Sequence, residues 1–289
     1  MKKQTTESPS QDLVAQLLDR ILKKLKSQIW QSNYANAMQL HGIIRSRQIQ
    51  HPNQLVRYGR KCFSQTDEDG ITLELIKRIG IESGSFAEFG VGDGLENNTL
   101  ILLALGWRGF WVGGEDIAFE TDNLERLVFK KAWVTLDNLL ALFEECCTRS
   151  HIKMVDLVSL DLDGNDYYFC EMLLSNRIRP KIFIVEYNAK MPPPVEFIID
   201  YDSKHAWATD DYFGASLASF NSLLEQFDYK LVCCNAATGV NAFFVQSEFI
   251  SKFPEVPQNI EEIYVEPHYF LFPQYGHKKS VRTIKKIVR

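Results

Sequence analysis

A glycine-rich segment directly after a short apolar run constrains the fold of this chain more than any other feature. Residues 86–89 are apolar apart from Glu88, and glycines follow at alternate positions, Gly90, Gly92 and Gly94. Five mostly polar residues, 95–99, then precede a second apolar run. This order predicts a strand, a tight turn and a helix. Glycine allows positive φ and lets a ligand lie against bare main chain, so the turn is a candidate binding site.

The spacing of the glycines argues against a dinucleotide. The order G-x-G-x-G differs from the pyrophosphate-binding pattern G-x-G-x-x-G. A carboxylate at Glu88 would also repel phosphate, but it suits the cationic amino-acid end of S-adenosylmethionine (SAM). The cofactor-binding residues predicted from this segment are Glu88, Gly90, Gly92, Asp93 and Gly94. A glycine-rich turn in some other α/β protein is the alternative.

Composition and cysteine usage indicate a globular cytoplasmic protein. Of the 289 residues, 45% are hydrophobic and 24% are charged, which is ordinary for globular domains. We expect no membrane span, because no apolar run approaches the roughly 20 residues that one needs. The N-terminus lacks the apolar core of a signal peptide, and none of the six cysteines forms a C-x-x-C pair.

The net charge of −5 conceals an uneven distribution. Residues 1–60 carry ten Lys and Arg against three Asp and Glu, and residues 278–289 carry six Lys and Arg and no acid. The centre of the chain is therefore strongly acidic, which suits a cationic cofactor or a metal and argues against nucleic acid as a partner. The basic tail is expected to be solvated and partly helical.

Three regions are predicted along the chain. Residues 1–60 form a helical arm or cap, with an amphipathic helix over 12–30 and a second helix over 33–47. This arm could join two copies into a homo-oligomer. Residues 61–250 form the main domain, and residues 251–289 form an extension that ends in the basic tail.

Strands and helices alternate through the main domain, which predicts an α/β fold with a parallel sheet covered on both faces. The last two strands have hairpin spacing, so an antiparallel strand should enter a mostly parallel, Rossmann-like sheet. That layout is typical of class I methyltransferases and not of dehydrogenases. The predicted strands are 85–89, 109–113, 132–135, 155–160, 181–186, 229–234 and 241–246, and the predicted helices are 68–79, 97–105, 137–147, 166–175 and 214–227.

Ligands of such sheets bind beyond the carboxyl ends of the strands. The second strand ends near Glu115 and Asp116, either of which could accept hydrogen bonds from a ribose. An acidic surface turn is the alternative for these two residues.

The fourth and fifth strands end in a cluster of oxygen ligands. Asp161 and Asp163 follow the fourth strand, and Glu186 and Asn188 follow the fifth. Neighbouring strands lie about 4.8 Å apart, so these side chains can converge on one point. Hard oxygen donors of this kind suit Mg²⁺. A turn with a helix cap is an equally open explanation for the aspartates.

A polar and aromatic loop follows the fifth strand. We expect residues 191–213 to form a lid over the acceptor site, with Trp207, Asp211 and Tyr212 contacting the substrate. His205 is the one histidine near these strand ends and could act as a general base; a surface histidine is the alternative.

Taken together, these residues resemble the FkbM-like family of SAM-dependent methyltransferases over roughly residues 61–246. Two positions differ from the pattern common in that family: Gly113 stands where an acid is frequent, and Asp163 where many members have Glu. The resemblance is carried by Ser64-Gln65, Glu68-Asp69, the segments 88–94, 106–109, 159–167 and 185–188, and the segment 211–217.

The resemblance implies methyl transfer from SAM to a hydroxyl of a sugar or another secondary metabolite. Metal-dependent O-methyltransferases hold their cation where Asp161, Asp163, Glu186 and Asn188 fall here. Asp161, Asp163 or His205 would then take the proton of the acceptor. The alternative is a catalytically silent scaffold of the same fold that binds a partner through its helical arm.

Overall fold

The structure is a computed structural model that describes residues 11–121, 124–269 and 281–288. The chain divides into two units, Met1–Ile43 and Ile44–Arg289. The boundary predicted at residue 60 is not tested by this division and stays a prediction.

The first element is one continuous helix of 40 residues, α1 (Gln11–Gln50). It replaces the two helices predicted over 12–30 and 33–47. The segment between those predictions, residues 31–32, contains neither Gly nor Pro, so nothing in it breaks the hydrogen-bond ladder of the helix.

The remaining elements alternate as the sequence predicts. Two 3₁₀ turns lie outside this alternation, at Gln54–Tyr58 and Ser247–Lys252. The helices are α2 (Glu68–Ile79), α3 (Leu100–Ala104), α4 (Leu139–Arg149), α5 (Asp166–Ser175), α6 (Leu217–Glu225), α7 (Ile260–Ile263) and α8 (Val281–Ile287). The strands are β1 (Ser85–Phe89), β2 (Arg108–Gly113), β3 (Leu127–Lys131), β4 (Leu157–Leu160), β5 (Ile182–Glu186), β6 (Tyr229–Cys234) and β7 (Asn241–Gln246).

The strands form one seven-stranded sheet in the order β3-β2-β1-β4-β5-β7-β6. The pairs from β3 through β5 are parallel, whereas β7 is antiparallel to both β5 and β6. The predicted fold class is therefore confirmed: a mostly parallel sheet with a C-terminal antiparallel hairpin, preceded by a long helix. The order of the strands reverses between β1 and β4, and this reversal places the edge at which ligands bind.

The prediction for the third strand was wrong. It placed the strand at 132–135, whereas β3 is Leu127–Lys131. β3 lies at the edge of the sheet and is only partly buried, and it ends in two lysines. An edge strand of this kind lacks the continuous apolar run that identifies a buried strand.

Alternating side chains of the strands build a core on each face of the sheet. In β1, Phe86 packs into one core, with α2 and α3, while Ala87 and Phe89 pack into the other, with α4, α5 and α6. This is the period-two geometry of a strand buried on both faces. The sheet therefore holds its carboxyl edge rigidly between two packed layers.

The basic tail is more ordered than expected where the structure describes it. Ile284 and Val288 lie one helical turn apart and are fully buried in the core that contains α2 and α3. Arg126 donates a hydrogen bond to the carbonyl of Ile287 at 2.9 Å. Residues 278–280 and 289, also predicted as part of the tail, lie outside the described residues.

A buried polar network joins the segment before the sheet to its last hairpin. The carboxylate of Asp67 accepts hydrogen bonds from the backbone amides of Ala236 (3.2 Å) and Ala237 (3.0 Å). The Asn235 amide reaches Glu68 as well, at 3.1 Å, and both carboxylates are buried. Burial and the neighbouring Glu68 raise the pKa of Asp67 to about 6. We call residues 66–68 and 235–238 with these bonds the hairpin staple.

No helix in the described ranges is both long enough and apolar enough to cross a membrane.

Candidate active site

Two cavities open at the edge where β1, β4 and β5 end. The smaller cavity has a volume of about 240 Å³ and is lined by the glycine turn, Glu115 and His205 among others. The larger cavity has a volume of about 810 Å³ and is lined by Glu186, Trp207 and their neighbours. Asp163 lines both cavities. The edge can therefore hold two ligands side by side with one carboxylate between them.

The glycine turn is shaped by close approach to the end of β4. Gly90 has φ of +86°, and a Cβ on it would lie 1.6 Å from the carbonyl oxygen of Asp161. Gly92 has φ of +46° and lines the smaller cavity, where a Cβ would meet open space. The third glycine, Gly94, faces Ile117 and not the cavity. Gly90 is therefore needed for packing, whereas Gly92 leaves room for a ligand.

The carboxylates of Asp93 and Glu88 both accept hydrogen bonds from the chain itself. Asp93 accepts a hydrogen bond from the backbone N–H of Leu95 at 3.0 Å. The buried carboxylate of Glu88 accepts hydrogen bonds from the backbone amides of Asn98 (2.9 Å) and Thr99 (3.1 Å) and from the Thr99 hydroxyl. Burial raises the pKa of Glu88 to about 7, against the effect of these donors. Direct contacts of Glu88 and Asp93 with a cofactor stay predictions.

The two acids after β2 differ in position. Glu115 lines the smaller cavity. Asp116 is exposed and forms an ion pair with Lys131 at 2.7 Å, outside that cavity's lining. Of the two alternatives for the ribose, the geometry therefore favours Glu115.

Three predicted metal ligands come together between the two cavities. Each of Asp161, Asp163 and Glu186 offers a carboxylate oxygen, and these oxygens lie within 4.8 Å of one another. Burial, together with the neighbouring carboxylates, raises the pKa of Asp161 and Glu186 well above the usual range, and the two groups share a hydrogen bond. One proton shared by this pair, or a divalent cation, would relieve their repulsion. The donor set fits Mg²⁺ because all its atoms are hard oxygens.

The loop after β4 fixes the position of Asp163. Asp163 has φ of +57°, a left-handed conformation that aspartate tolerates better than most residues. The carboxylate of Asp166 accepts hydrogen bonds from the backbone amides of Leu162 (2.8 Å) and Gly164 (3.1 Å), on both sides of Asp163. The loop therefore holds Asp163 at the junction of the cavities.

Asn188 lines the larger cavity, but its side chain forms hydrogen bonds to the backbone of the surrounding loop. Its amide nitrogen donates to the carbonyls of Asp211 (2.8 Å) and Phe213 (3.1 Å), and its oxygen accepts from the amide of Lys190 (3.3 Å). In the structure Asn188 thus positions the loop that approaches α6. Its role as a metal ligand stays a prediction.

The middle of the loop that was expected to be a lid is bonded to the segment after β3. The indole N–H of Trp133 donates to the carbonyl of Ser203 at 2.8 Å. The hydroxyl of Tyr201 accepts a hydrogen bond from the backbone amide of Leu136 at 2.9 Å. We call residues 201–205 the wall segment, because they carry His205, which lines the smaller cavity.

The wall segment is also held from α5 and carries His205 into the smaller cavity. The amide of Asn165 donates to the carbonyl of Asp202 at 2.8 Å. The His205 ring packs on Gly164, where any Cβ would collide with it at 2.2 Å. The Nε2 atom of His205 is buried and makes no hydrogen bond within the described part of the chain. His205 therefore lies on the glycine-turn side of Asp163, and its role as a base stays a prediction.

The tip of the same loop, residues 206–213, faces the larger cavity. Trp207 and Asp211 line that cavity; Trp207 is 49% exposed, and Asp211 pairs with Lys190. Tyr212 is not among the lining residues and accepts a hydrogen bond from the amide of Asp200 at 3.2 Å. Contacts of these three residues with a substrate stay predictions.

The cavities also contain residues to which the sequence analysis gave no role. Trp133 follows the end of β3, a position that favours a site residue. The predicted strand at 132–135 placed it inside a strand instead. Gln65 belongs to a segment quoted for the family resemblance, whereas no local signal marks Thr238 or Tyr269. Among these residues are Trp133 in the smaller cavity and Gln65, Lys190, Thr238 and Tyr269 in the larger one.

Comparison with known proteins finds solved structures of low sequence identity. No family model and no curated protein matches the chain. Among solved structures, a putative hemolysin from Lactococcus lactis is 14% identical, with 66% of this chain and 92% of that chain covered and a TM-score of 0.38. The MycE methyltransferase from the mycinamycin biosynthetic pathway, in complex with Mg, SAH and mycinamycin VI, is 10% identical. The match covers 74% of this chain and 51% of that chain, with a TM-score of 0.32.

A third similar structure is an O-methyltransferase family 2 protein from Planctomyces limnophilus in complex with apigenin. It is 12% identical, with 74% of this chain and 62% of that chain covered and a TM-score of 0.32. Two of these three proteins are methyltransferases, but similarity at this level carries no inference about activity. What the structure establishes is the fold: a mostly parallel seven-stranded sheet with a C-terminal antiparallel hairpin, and two cavities and a carboxylate cluster at its carboxyl edge.

Proposed function

We propose that the chain is a SAM-dependent methyltransferase of the FkbM-like type, which transfers a methyl group to a hydroxyl of a sugar or another secondary metabolite. The observation that carries the proposal is the pair of cavities that meet at Asp163, at the edge where sheets of this order bind their ligands. The smaller cavity would hold SAM against Gly92, with Glu115 on the ribose. The larger cavity would hold the acceptor, next to Trp207.

The chemistry follows from this placement. The acceptor oxygen attacks the methyl carbon, the carbon–sulfur bond breaks, and its electron pair remains on sulfur. The sulfonium charge is lost in this step, and the acceptor proton passes to a carboxylate, Asp161 or Asp163. Since the displacement is in line, the main contribution of the protein is to align the two ligands.

A divalent cation fits the same cluster. Asp161, Asp163 and Glu186 would hold it, because their oxygens already lie within 4.8 Å of one another. When bound, such an ion lowers the pKa of an acceptor hydroxyl. The protein would then need no further group to relieve the repulsion between the carboxylates.

Calorimetry with S-adenosylhomocysteine tests the cofactor site. Gly92→Val should weaken binding at least about tenfold, because its side chain would enter the smaller cavity. Gly80→Val is the matched control: Gly80 also has positive φ, +85°, and open space around it, but it ends α2 away from the cavity lining. The control should bind like wild type. If the wild type binds NADH but neither SAM nor S-adenosylhomocysteine, the proposal is wrong.

Thermal denaturation with and without Mg²⁺ tests the metal site. Mg²⁺ should raise the melting temperature of the wild type by about 2–4 °C, the shift that 1 kcal/mol produces in a domain of this size. Asp161→Asn removes one of the three carboxylates that would hold the ion, so it should lose the Mg²⁺ effect. Asp93→Asn, a change of the same kind in the glycine turn, should behave as wild type. Full methyl transfer in excess chelator would contradict the metal site.

A further inference from the structure

The first part of α1 presents an apolar face that nothing in the proposed reaction uses. At 100° per residue, the seven apolar residues of this face, between positions 14 and 29, fall on less than half of the helix circumference. Gln28 is the one polar residue that lies among them. Their side chains are between 41% and 58% exposed. The face consists of Val14, Leu17, Leu18, Ile21, Leu22, Leu25 and Ile29.

Positive charge surrounds this face. Lys24 lies at one of its edges and Lys26 just beyond the other, while Arg20 and Lys23 lie on the opposite half of the helix. The one acid among them, Asp19, pairs with Lys23 at 2.8 Å. The helix therefore combines an apolar strip with lysines along both of its margins.

A second copy of the chain is a poor occupant for this face. A two-stranded coiled coil buries a narrow stripe of about two residues in seven, whereas this face is broader, with seven apolar residues between positions 14 and 29. In a symmetric pair, the marginal lysines of the two copies would also approach like charges. An anionic bilayer surface avoids both difficulties, because its apolar layer accepts a broad face and its headgroups attract the lysines.

We propose that residues 13–29 of α1 bind the surface of an anionic membrane, lying in the interface without crossing it. The apolar face enters the boundary of the acyl chains, and the stems of Lys24 and Lys26 extend outward so that their ammonium groups reach the headgroups. This inference is independent of the proposed methyl transfer.

Vesicle flotation with the full chain tests the inference. Binding to phosphatidylglycerol vesicles should be at least about tenfold stronger than to phosphatidylcholine vesicles, and raising the salt from about 0.05 M to about 0.5 M should reduce that preference. The double variant Ile21→Gln with Leu25→Gln should lose binding, because both changes fall at the centre of the apolar face. The double variant Lys24→Gln with Lys26→Gln should lose the preference for anionic lipid.

The matched control makes the same kind of change on another side of the helix. Tyr34 and Met38 are 59% and 57% exposed and lie off the apolar face; Tyr34→Gln with Met38→Gln should bind vesicles like wild type. Circular dichroism checks that every variant keeps its helix. The inference is overturned if the wild type ignores phosphatidylglycerol vesicles or if the control loses binding equally. It is also overturned if light scattering shows a dimer that the change at Ile21 and Leu25 dissociates.

Discussion

At the scale of single residues, Glu88 shows how a predicted ligand can act from inside the protein. The sequence places a carboxylate beside the glycine turn, and the structure directs it to the amides at the start of α3. The amide of Thr99, the N-cap of α3, is one of the donors that a helix leaves without internal partners. Glu88 therefore ties the glycine turn to α3, whether or not it also touches a cofactor.

The burial of Glu88 makes stability depend on pH in a defined direction. Its pKa is about 7 in the folded protein against an ordinary value of 4.5, so the native state binds the proton more tightly. The contribution of Glu88 to the free energy of unfolding is thus complete below about pH 4.5 and is lost as the pH rises through about 7. It amounts to at most about 3 kcal/mol.

Glu88→Gln cannot titrate, so it should remove this part of the pH dependence. Urea unfolding at about pH 5 and about pH 8 measures it: wild type should lose more stability between the two than the variant does. Asp93→Asn, at an acid in the same turn, serves as the control and should follow wild type. Equal pH slopes for wild type and Glu88→Gln would show that Glu88 stays ionised in the folded protein.

At the scale of elements, the loop after β5 consists of two parts with different attachments. The wall segment is bonded to the segment after β3 and to α5 through Trp133, Leu136 and Asn165. The tip, residues 206–213, is bonded to the segment directly after β5 through Asn188 and Lys190, and it carries an exposed Trp207. Movement on ligand binding is therefore expected around Trp207 and not in the wall segment, which narrows the lid predicted over 191–213.

Hydrogen exchange followed by mass spectrometry tests this division. The wall segment should exchange more slowly than the tip, and Asn165→Ala should speed exchange of the wall segment because the bond to Asp202 is lost. Asn176→Ala removes a similar bond, to the carbonyl of Met172 at the far end of α5, and should leave the loop unchanged. Equal protection of wall and tip would contradict the division.

The central strands could be predicted well from the sequence, because strands buried on both faces consist of continuous apolar runs. β1, β5, β6 and β7 lie within a residue of their predicted ranges, and β4 begins two residues later than predicted. The position of β3 was predicted wrongly because an edge strand is only half buried and has no continuous apolar run. The acids at the ends of β4 and β5 could be placed together from topology alone, but the ion pair of Asp116 and the donors held by Asn188 depend on side-chain directions that spacing does not encode.

At the scale of the whole molecule, the hairpin staple has a consequence for synthesis on the ribosome. Asp67 obtains its amide donor from Ala237, 170 residues later in the chain. Until β6 and β7 have emerged, the acids before the sheet have no donors from the hairpin, and β5 lacks its neighbour on one side. Contacts of such long range form late. The large unit therefore cannot complete its fold before β7 has emerged, and a chain stalled before residue 235 exposes both an acidic segment and the open edge of β5.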